Sequence, residues 1–348
     1  MMKGVKRVLE GRRLLVLAGD VMPLVSPLSV IAPSEDTSGL FLGEDDRGRR
    51  IFLNPERLPN MHGVIVGSTG VGKSTLARHL ILEARQLGIR SWVIDPHGEE
   101  AYARLFHKTV VFTKDKVDVL HAPGWDALEY ASELGRYVER IYGFRGARNM
   151  IRNVIASCIR HGGLEPLREL SDLDPDIKRL YDDLTSIHGE GEKIEELARR
   201  NAYFTLPLMT SRELAALAIQ VLLLLLQGFM RSQGARHRLE LLIILEEAHV
   251  LSPYLLSLFK EVRKWGYSIV AVSQLPREFD PRIFQLAGFV LALSGPESYV
   301  RDIEAIFFVT GDERDHILYS PRGTALFFRQ GDPRPRKIFL KLRAEAFS

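Results

Sequence analysis

The sequence predicts an α/β fold built on a mostly parallel β-sheet with helices on both faces. Short apolar runs alternate with helical segments from Met61 onward, which is the pattern of βαβ units. A glycine-rich loop, Gly67–Gly72, joins one of these strands to the helix predicted over Lys73–Gln86. Apolar residues make up 46% and charged residues 26% of the 348 residues, an ordinary composition that argues against disorder.

Changes of pattern along the chain divide it into four segments. Residues 1–60 are interpreted as a small N-terminal β module, because short apolar runs alternate there with turn-rich stretches. Residues 61–125 form the first part of the core, residues 126–212 an all-helical insertion, and residues 213–348 the second part with a C-terminal β hairpin. The predicted strands are Arg13–Ala18, Leu24–Ala32, Gly39–Leu42, Arg50–Leu53, His62–Val66, Ile89–Ile94, Val110–Thr113, Leu239–Leu245, Ser268–Ser273, Phe289–Leu293, Thr324–Phe328 and Lys337–Leu342.

Three helices are predicted in the insertion. They cover Asp126–Tyr142, Arg148–His161 and Pro175–Ile187. Asp174 is placed as an N-cap, because a proline follows at the first helical position.

Cysteine content and apolar runs bear on the cellular compartment. The single cysteine, Cys158, excludes an internal disulfide and suits the reducing cytoplasm; a small buried residue is the favoured interpretation. The apolar stretch Leu14–Ala32 is interrupted by charge and proline and lacks a signal-peptide cleavage pattern. Leu214–Leu226 is shorter than the roughly 20 residues of a bilayer span and predicts a buried core helix. We therefore expect a cytoplasmic protein, with association to a membrane complex left open.

The strongest functional signal is Gly67-Ser-Thr-Gly-Val-Gly-Lys-Ser74, which matches G-x-x-x-x-G-K-[ST] between a strand and a helix. Glycines let backbone N–H groups surround phosphate oxygens, and the helix N-terminus adds its positive dipole end. Lys73 would reach the β- and γ-phosphates of ATP, and Ser74 would bind Mg²⁺. The nucleotide contacts are assigned to Gly67, Ser68, Thr69, Gly70, Val71, Gly72, Lys73, Ser74, Thr75 and Asp95.

A second signal is the apolar run Leu241–Leu245 followed by Glu246 and Glu247. A buried strand that ends in two carboxylates is typical of a Walker B element, which delivers acids to the phosphate site. Glu246 would hold the Mg²⁺ shell, directly or through water, and Glu247 would orient and deprotonate the attacking water.

Polar residues also follow two other predicted strands. Asp95 could lie in the outer shell of Mg²⁺ or position water, but an ordinary turn role is equally open. Gln274 could sense the γ-phosphate or hold the water; taken alone, a structural role is favoured for it.

Two sets of basic residues have open roles. Phosphoryl transfer at such loops is often completed by an arginine of a neighbouring subunit, and Arg263 is the first candidate and Arg277 the second, although each alone is more often a surface residue. In the insertion, basic and aromatic residues together suit contact with nucleic acid, but a solvated helix face is at least as well supported. The further arginine candidates are Arg282 and Arg301, and the insertion set is Arg136, Arg140, Arg145, Arg148, Arg152, Arg160, Tyr137, Tyr142 and Phe144.

The ordered motifs resemble the HerA branch of the HerA–FtsK superfamily of P-loop ATPases over roughly residues 50–342. The motifs are His62–Gly67 before the loop, Asp95-Pro-His-Gly-Glu99, Glu246-Glu-Ala-His249, Arg263-Lys-Trp-Gly266 and Ser273-Gln-Leu-Pro276.

The resemblance implies a RecA-like core in a hexameric ring that moves duplex DNA through its pore by Mg²⁺-dependent ATP hydrolysis between subunits. It assigns Glu247 as catalytic base, Gln274 as sensor and Arg263 as the arginine acting in trans. HerA proteins usually have a longer chain and a fuller N-terminal barrel than residues 1–60 can form. This sequence departs from the family pattern in both respects. The first bears on partner surfaces for a nuclease, and the second bears on ring assembly through the N-terminal module.

Three functions remain open at the level of sequence. The first is a DNA translocase of the helicase class, in DNA repair or in DNA transfer. The second is a motor of a conjugation-type DNA-transfer or import system, or of a secretion or pilus system. The net charge of only +3 slightly favours a secretion or pilus motor that works on protein, since a dedicated DNA-binding protein is often more basic. The third, a scaffold that binds ATP without hydrolysing it, is disfavoured by the intact Lys73, Glu247 and Gln274.

Overall fold

The computed structural model describes residues 36–144, 147–206, 210–261 and 265–347. The predicted strands Arg13–Ala18 and Leu24–Ala32 lie outside the described residues, as do Arg145 and Arg263.

Eleven strands form one mixed sheet in the described part of the chain. They are β1 (Leu40–Asp45), β2 (Arg50–Leu53), β3 (Gly63–Val66), β4 (Arg90–Asp95), β5 (Thr109–Val111), β6 (Ala202–Thr205), β7 (Arg236–Leu245), β8 (Trp265–Ser273), β9 (Phe289–Leu293), β10 (Thr324–Arg329) and β11 (Arg336–Leu340). Their order is β2-β1-β11-β10-β9-β3-β8-β7-β4-β6-β5. The seven strands from β9 to β5 are parallel, and β10, β11, β1 and β2 extend the sheet with antiparallel pairs.

Helices connect the parallel strands and lie on both faces of the sheet. They are α1 (Lys73–Gln86), α2 (Glu100–Ala103), α3 (Ala127–Tyr142), α4 (Arg148–His161), α5 (Glu165–Ser171), α6 (Pro175–Ile187), α7 (Ile194–Leu197), α8 (Arg212–Ser232), α9 (Ser252–Glu261), α10 (Pro281–Leu286), α11 (Glu297–Glu304) and α12 (Gly311–Tyr319). The predicted class, a RecA-like sheet covered by helices on both faces, is confirmed.

Successive side chains of a strand point to opposite faces of the sheet. The central strands consist of apolar residues and therefore contribute to a core on each face. Val64 and Val66 of β3 belong to one core, which also contains the apolar face of α8. Ile65, between them, belongs to the other core together with Leu76 and Leu80 of α1. The sheet therefore holds α1 on one face and α8 on the other.

Helix α8 is long and apolar enough to cross a membrane, with a mean hydropathy of 1.9, but 89% of its apolar window is buried inside the protein. The indole Nε1–H of Trp125, just before α3, donates to the carbonyl of Leu224 at 2.9 Å. The packing agrees with the predicted core helix.

Helices were predicted from sequence more closely than strands. Helices α1, α4 and α6 have the predicted bounds, and the Asp174 carboxylate caps α6 by accepting from the backbone N–H groups of Asp176 and Ile177. Strand β6 was missed: it lies inside residues 126–212, which were expected to be all-helical, and four residues carry too little pattern to be recognised. Residues 40–53 pair with β11 and so continue the main sheet. The four segment boundaries remain a prediction.

Replacement of Gly228 by alanine tests the packing of α8. A Cβ at Gly228 would lie 2.1 Å from the ring of Trp125 and 2.5 Å from the carbonyl oxygen of Pro123. Overpacking of this kind costs roughly 1–3 kcal/mol, so we expect Gly228→Ala to lower the melting temperature. The matched control is Gly311→Ala, where an added Cβ meets no heavy atom within 4 Å. Equal melting temperatures for the two variants would contradict the packing.

Candidate nucleotide-binding site

The glycine-rich loop lies between the carboxyl end of β3 and the start of α1. Gly70 and Gly72 have φ values of +78° and +103°, a region that favours glycine. Such a backbone turns successive N–H groups to one side, which is the geometry that holds phosphate oxygens. The loop has the conformation that the motif requires.

Lys73 is enclosed by the loop. Its ammonium donates to the carbonyl oxygens of Gly67 at 2.8 Å and Ser68 at 3.0 Å. Burial lowers the pKa of Lys73, while the nearby carboxylates of Glu246 and Glu247 act in the opposite direction. These contacts hold the ammonium group within the loop, where its positive charge would stabilise a bound phosphate.

Glu246 follows β7 directly and is 6% exposed. Its backbone N–H donates to the carbonyl of Ile94 at 2.9 Å, and the hydroxyl of Tyr102 donates to its carboxylate. Burial raises the pKa of Glu246 to about 7, and the Tyr102 hydrogen bond opposes that rise. The buried carboxylate is held beside the loop by a tyrosine that sequence reasoning did not identify.

Glu247 has a left-handed backbone with φ of +47°, the only such non-glycine residue in the described part of the chain. That conformation is costly for a residue with a Cβ, and strain of this kind is concentrated at functional sites. Nδ1 of His249 lies 3.1 Å from a carboxylate oxygen of Glu247. His249 therefore lies within ion-pair distance of the carboxylate that was predicted to act as base.

Asp95 is engaged by its own loop. One carboxylate oxygen accepts from the N–H of His97 at 2.9 Å; the other accepts from the N–H of Glu99 at 2.7 Å and from the hydroxyl of Tyr203 at 2.9 Å. These bonds match the turn role that was left open. A direct role of Asp95 in nucleotide binding remains a prediction.

Glu99, which received no role from the sequence, lies at the site. Its carboxylate accepts from the hydroxyl of Ser74 at 3.4 Å and lies 3.6 Å from the guanidinium of Arg78. Burial and the Asp95 carboxylate raise the pKa of Glu99, and Arg78 lowers it. Its position after β4, in the quoted motif that starts at Asp95, was the signal that could have identified it.

Gln274 directly follows β8, the strand that pairs with β3 beside the loop, and its side chain contacts the loop. Its side-chain carbonyl accepts from the hydroxyl of Thr69 at 3.0 Å. The carboxylate of Glu278 accepts from the hydroxyl of Ser273 and, at 3.1 Å, from the N–H of Leu275. Glu278 thus holds the Ser273 side chain on one side of Gln274 and the Leu275 backbone on the other, and the predicted sensor lies at the phosphate loop.

The three candidate arginines that the structure describes, Arg277, Arg282 and Arg301, pair with carboxylates away from the loop. Arg277 is 61% exposed and its guanidinium lies 3.9 Å from Asp302. Arg282 donates to the carboxylate of Asp280 at 2.9 and 3.1 Å. Arg301 lies 3.5 Å from Glu297. Arg322, which was not predicted, lies near the loop: one of its nitrogens is 3.7 Å from the place that a Cβ on Gly70 would take.

The aromatic residues of the insertion pack internally. Tyr137 is 2% exposed and makes an edge-on contact with Tyr254. Tyr142 stacks on Phe144 and donates to Asp183 at 2.5 Å. Base stacking on these rings would require the insertion to open. Arg140 and Arg148 are exposed, so the fold still allows these arginines to contact the phosphate backbone of DNA.

The site fits a nucleotide with Mg²⁺ better than an isolated metal. Among the described residues, no group of three or more His, Cys, Asp or Glu side chains is arranged to hold a metal. Mg²⁺ is commonly bound by one or two protein ligands together with substrate phosphates. Ser74 and Glu246 are the predicted members of such a partial set, and their role as Mg²⁺ ligands remains a prediction.

Loop, strand-end carboxylates and sheet order define a P-loop ATPase with a RecA-like core. The chain belongs to the family described as helicase HerA, central domain, whose model matches residues 39–216. The resemblance seen in the motifs to the HerA–FtsK superfamily is thereby confirmed.

Solved structures of VirB4 and TrwB have the same fold. VirB4 of Thermoanaerobacter pseudethanolicus has a TM-score of 0.69 at 15% identity, covering 90% of this chain and 99% of that one. The bacterial conjugative coupling protein TrwB has a TM-score of 0.64 at 14% identity, covering 89% and 91%. TrwB in complex with ADP and Mg²⁺ gives 0.63 at 15% identity, covering 94% and 93%. At this identity the likeness establishes the fold. Comparison with curated proteins gives no match.

Replacement of Glu278 by alanine tests the positioning of Gln274. Without the carboxylate, the Ser273 hydroxyl and the Leu275 N–H, on either side of Gln274, lose their hydrogen bonds. A displacement of about 1 Å can cost on the order of 100-fold in rate. We expect Glu278→Ala to lower kcat for ATP hydrolysis at least tenfold, with the Kd for ATP unchanged. Asp280→Asn, which disrupts a surface ion pair in the same segment, is the control. A wild-type kcat in Glu278→Ala would show that Gln274 needs no such support.

Proposed function

We propose that this protein is an ATP-driven motor that acts on duplex DNA, with ATP hydrolysed between the subunits of a homo-oligomeric, hexameric ring. The observation that carries the proposal is the meeting of the phosphate loop, Glu246, Glu247 and Gln274 at one edge of the sheet in a member of the HerA family. The fold alone does not require a half-buried lysine that donates to two loop carbonyls beside two carboxylates.

Each side chain has a role that follows from its position. Lys73 binds the β- and γ-phosphates, and Ser74 and Glu246 hold Mg²⁺. Bound Mg²⁺ would neutralise charge on the phosphates. Glu247, aimed by its left-handed backbone, orients and deprotonates water, and Gln274 reports the γ-phosphate through its contact with Thr69.

A neighbouring subunit is proposed to complete the site with an arginine. Arg263 is the first candidate on the resemblance and Arg277 the second. Two observations support Arg277: it lies three residues beyond Gln274 in the sequence, and its side chain is 61% exposed. An exposed guanidinium so near the sensor residue is available to an adjacent site.

DNA contact is proposed through cations brought together by the ring. The net charge of one chain is only +3, so a single subunit offers a weak attraction. Exposed arginines of the insertion, such as Arg140 and Arg148, would be repeated around a pore and sum their attraction for phosphates.

A second candidate is a motor of a conjugation-type transfer, import, secretion or pilus system. The observation that favours it is the likeness to VirB4 and TrwB, which extends over about nine-tenths of this chain. In the first candidate the protein works free in the cytoplasm; in the second it works at the cytoplasmic side of a membrane complex.

The test of the motor is ATP turnover of the purified protein with and without duplex DNA at low salt. We expect DNA to stimulate turnover. Glu247→Gln should lower turnover by roughly 10²–10⁴-fold, because proton abstraction from water is lost, while ATP binding survives. Glu240→Gln, on the same strand β7 in a pair with Arg90, is the matched control.

Two outcomes would overturn this function. Absence of both DNA binding and stimulation would remove the DNA motor, and binding to a membrane partner without DNA affinity would favour the second candidate. Undiminished turnover in Glu247→Gln would remove Glu247 as the base.

A further inference from the structure

A pocket of about 520 Å³ adjoins the phosphate loop. Gly70, Gly72 and Thr75 line it on the loop side. The opposite side is formed by residues that flank the hairpin of β10 and β11, among them Arg322 and Phe347. The volume lies within the range of about 300–1,000 Å³ that is usual for small-molecule sites.

The segment that carries Phe347 is fixed to α1, the helix that begins at the phosphate loop. The backbone N–H of Arg343 donates to Nδ1 of His79 at 3.1 Å, and the Arg343 guanidinium donates to Glu83. Nε–H of the buried Arg78 donates to the carbonyl of Ala346 at 2.8 Å. Arg78, His79 and Glu83 of α1 therefore hold this segment next to the phosphate loop.

Phe347 has features of a stacking surface rather than of a core residue. Its side chain is 68% exposed although it lines the pocket. An exposed phenyl ring gains from being covered by another flat, apolar surface. Because the ring lies beside a loop that binds phosphates, the flat group best placed to cover it is the base of the same nucleotide.

We propose that this pocket is the nucleobase subsite, in which the base stacks on Phe347 and Arg322 contacts the sugar or the α-phosphate. Arg322 is exposed and its guanidinium nitrogen is close to Gly70 of the loop, so it adds positive charge beside the phosphates. This proposal rests on the proposed function only in that the loop binds a nucleoside triphosphate.

The lining of the subsite contains no carboxylate or amide side chain that would select adenine over guanine. Among the described residues that line it, the side chains with polar ends are Thr75, Arg322 and Lys341. Adenine presents an amino donor beside a ring acceptor, whereas guanine presents acceptors at O6 and N7, to which arginine and lysine can donate. Stacking tolerates either base. We therefore expect ATP to bind no more than a few-fold more tightly than GTP.

The test measures Kd for ATP, GTP and inorganic tripolyphosphate with the full chain and Mg²⁺, without DNA. Loss of base stacking is expected to weaken ATP and GTP binding by roughly 5- to 100-fold in Phe347→Ala. Binding of tripolyphosphate, which has no base, should stay at the wild-type value. Phe347→Trp keeps a flat ring and should bind ATP at least as tightly as the wild-type protein does.

Three results would overturn the subsite. They are wild-type ATP binding in Phe347→Ala, an equal loss of tripolyphosphate binding in that variant, which would indicate a disturbed loop, and a preference of wild type for ATP over GTP of 100-fold or more. Because the measurement needs neither hydrolysis nor DNA, it separates failure of this subsite from failure of the motor.

Discussion

The enclosed ammonium of Lys73 is the group on which the rest of the site depends. It is held by the carbonyls of Gly67 and Ser68 at the carboxyl edge of a parallel sheet. Burial of a cation is unfavourable unless carboxylates lie near, and Glu246 and Glu247 meet this need from β7. Parallel strands end at one edge, so the strand order that makes the core also delivers the acids.

Arg78 links this centre to the rest of the molecule. The buried guanidinium contacts Glu99, lies over the ring of Tyr102 and holds the carbonyl of Ala346. Tyr102 in turn donates to Glu246. Helix α1 therefore begins at the phosphate loop. About one turn later, its residue Arg78 contacts both Tyr102, the partner of Glu246, and the segment at Ala346 that borders the proposed base pocket.

The loop, the Walker B strand and the helices of the insertion were predictable because each has a local signature: fixed glycines, an apolar run that ends in acids, and capped apolar periodicity. Strand β6 was not, since its four residues form a strand only by pairing with β4 and β5. Glu278 and Tyr102 could not be assigned either, because their partners are distant in sequence or depend on turn geometry. The antiparallel edge formed by β1, β2 and β11 likewise follows from pairing between opposite ends of the chain.

Electron microscopy of the protein with duplex DNA and a non-hydrolysed ATP analogue tests the central claim most directly. We expect six-fold rings, density for DNA in the pore, and nucleotide bound at Lys73 with an arginine of the adjacent subunit close to the γ-phosphate. Monomers under these conditions, or rings whose loops hold nucleotide away from any subunit boundary and whose pores contain no DNA, would contradict it.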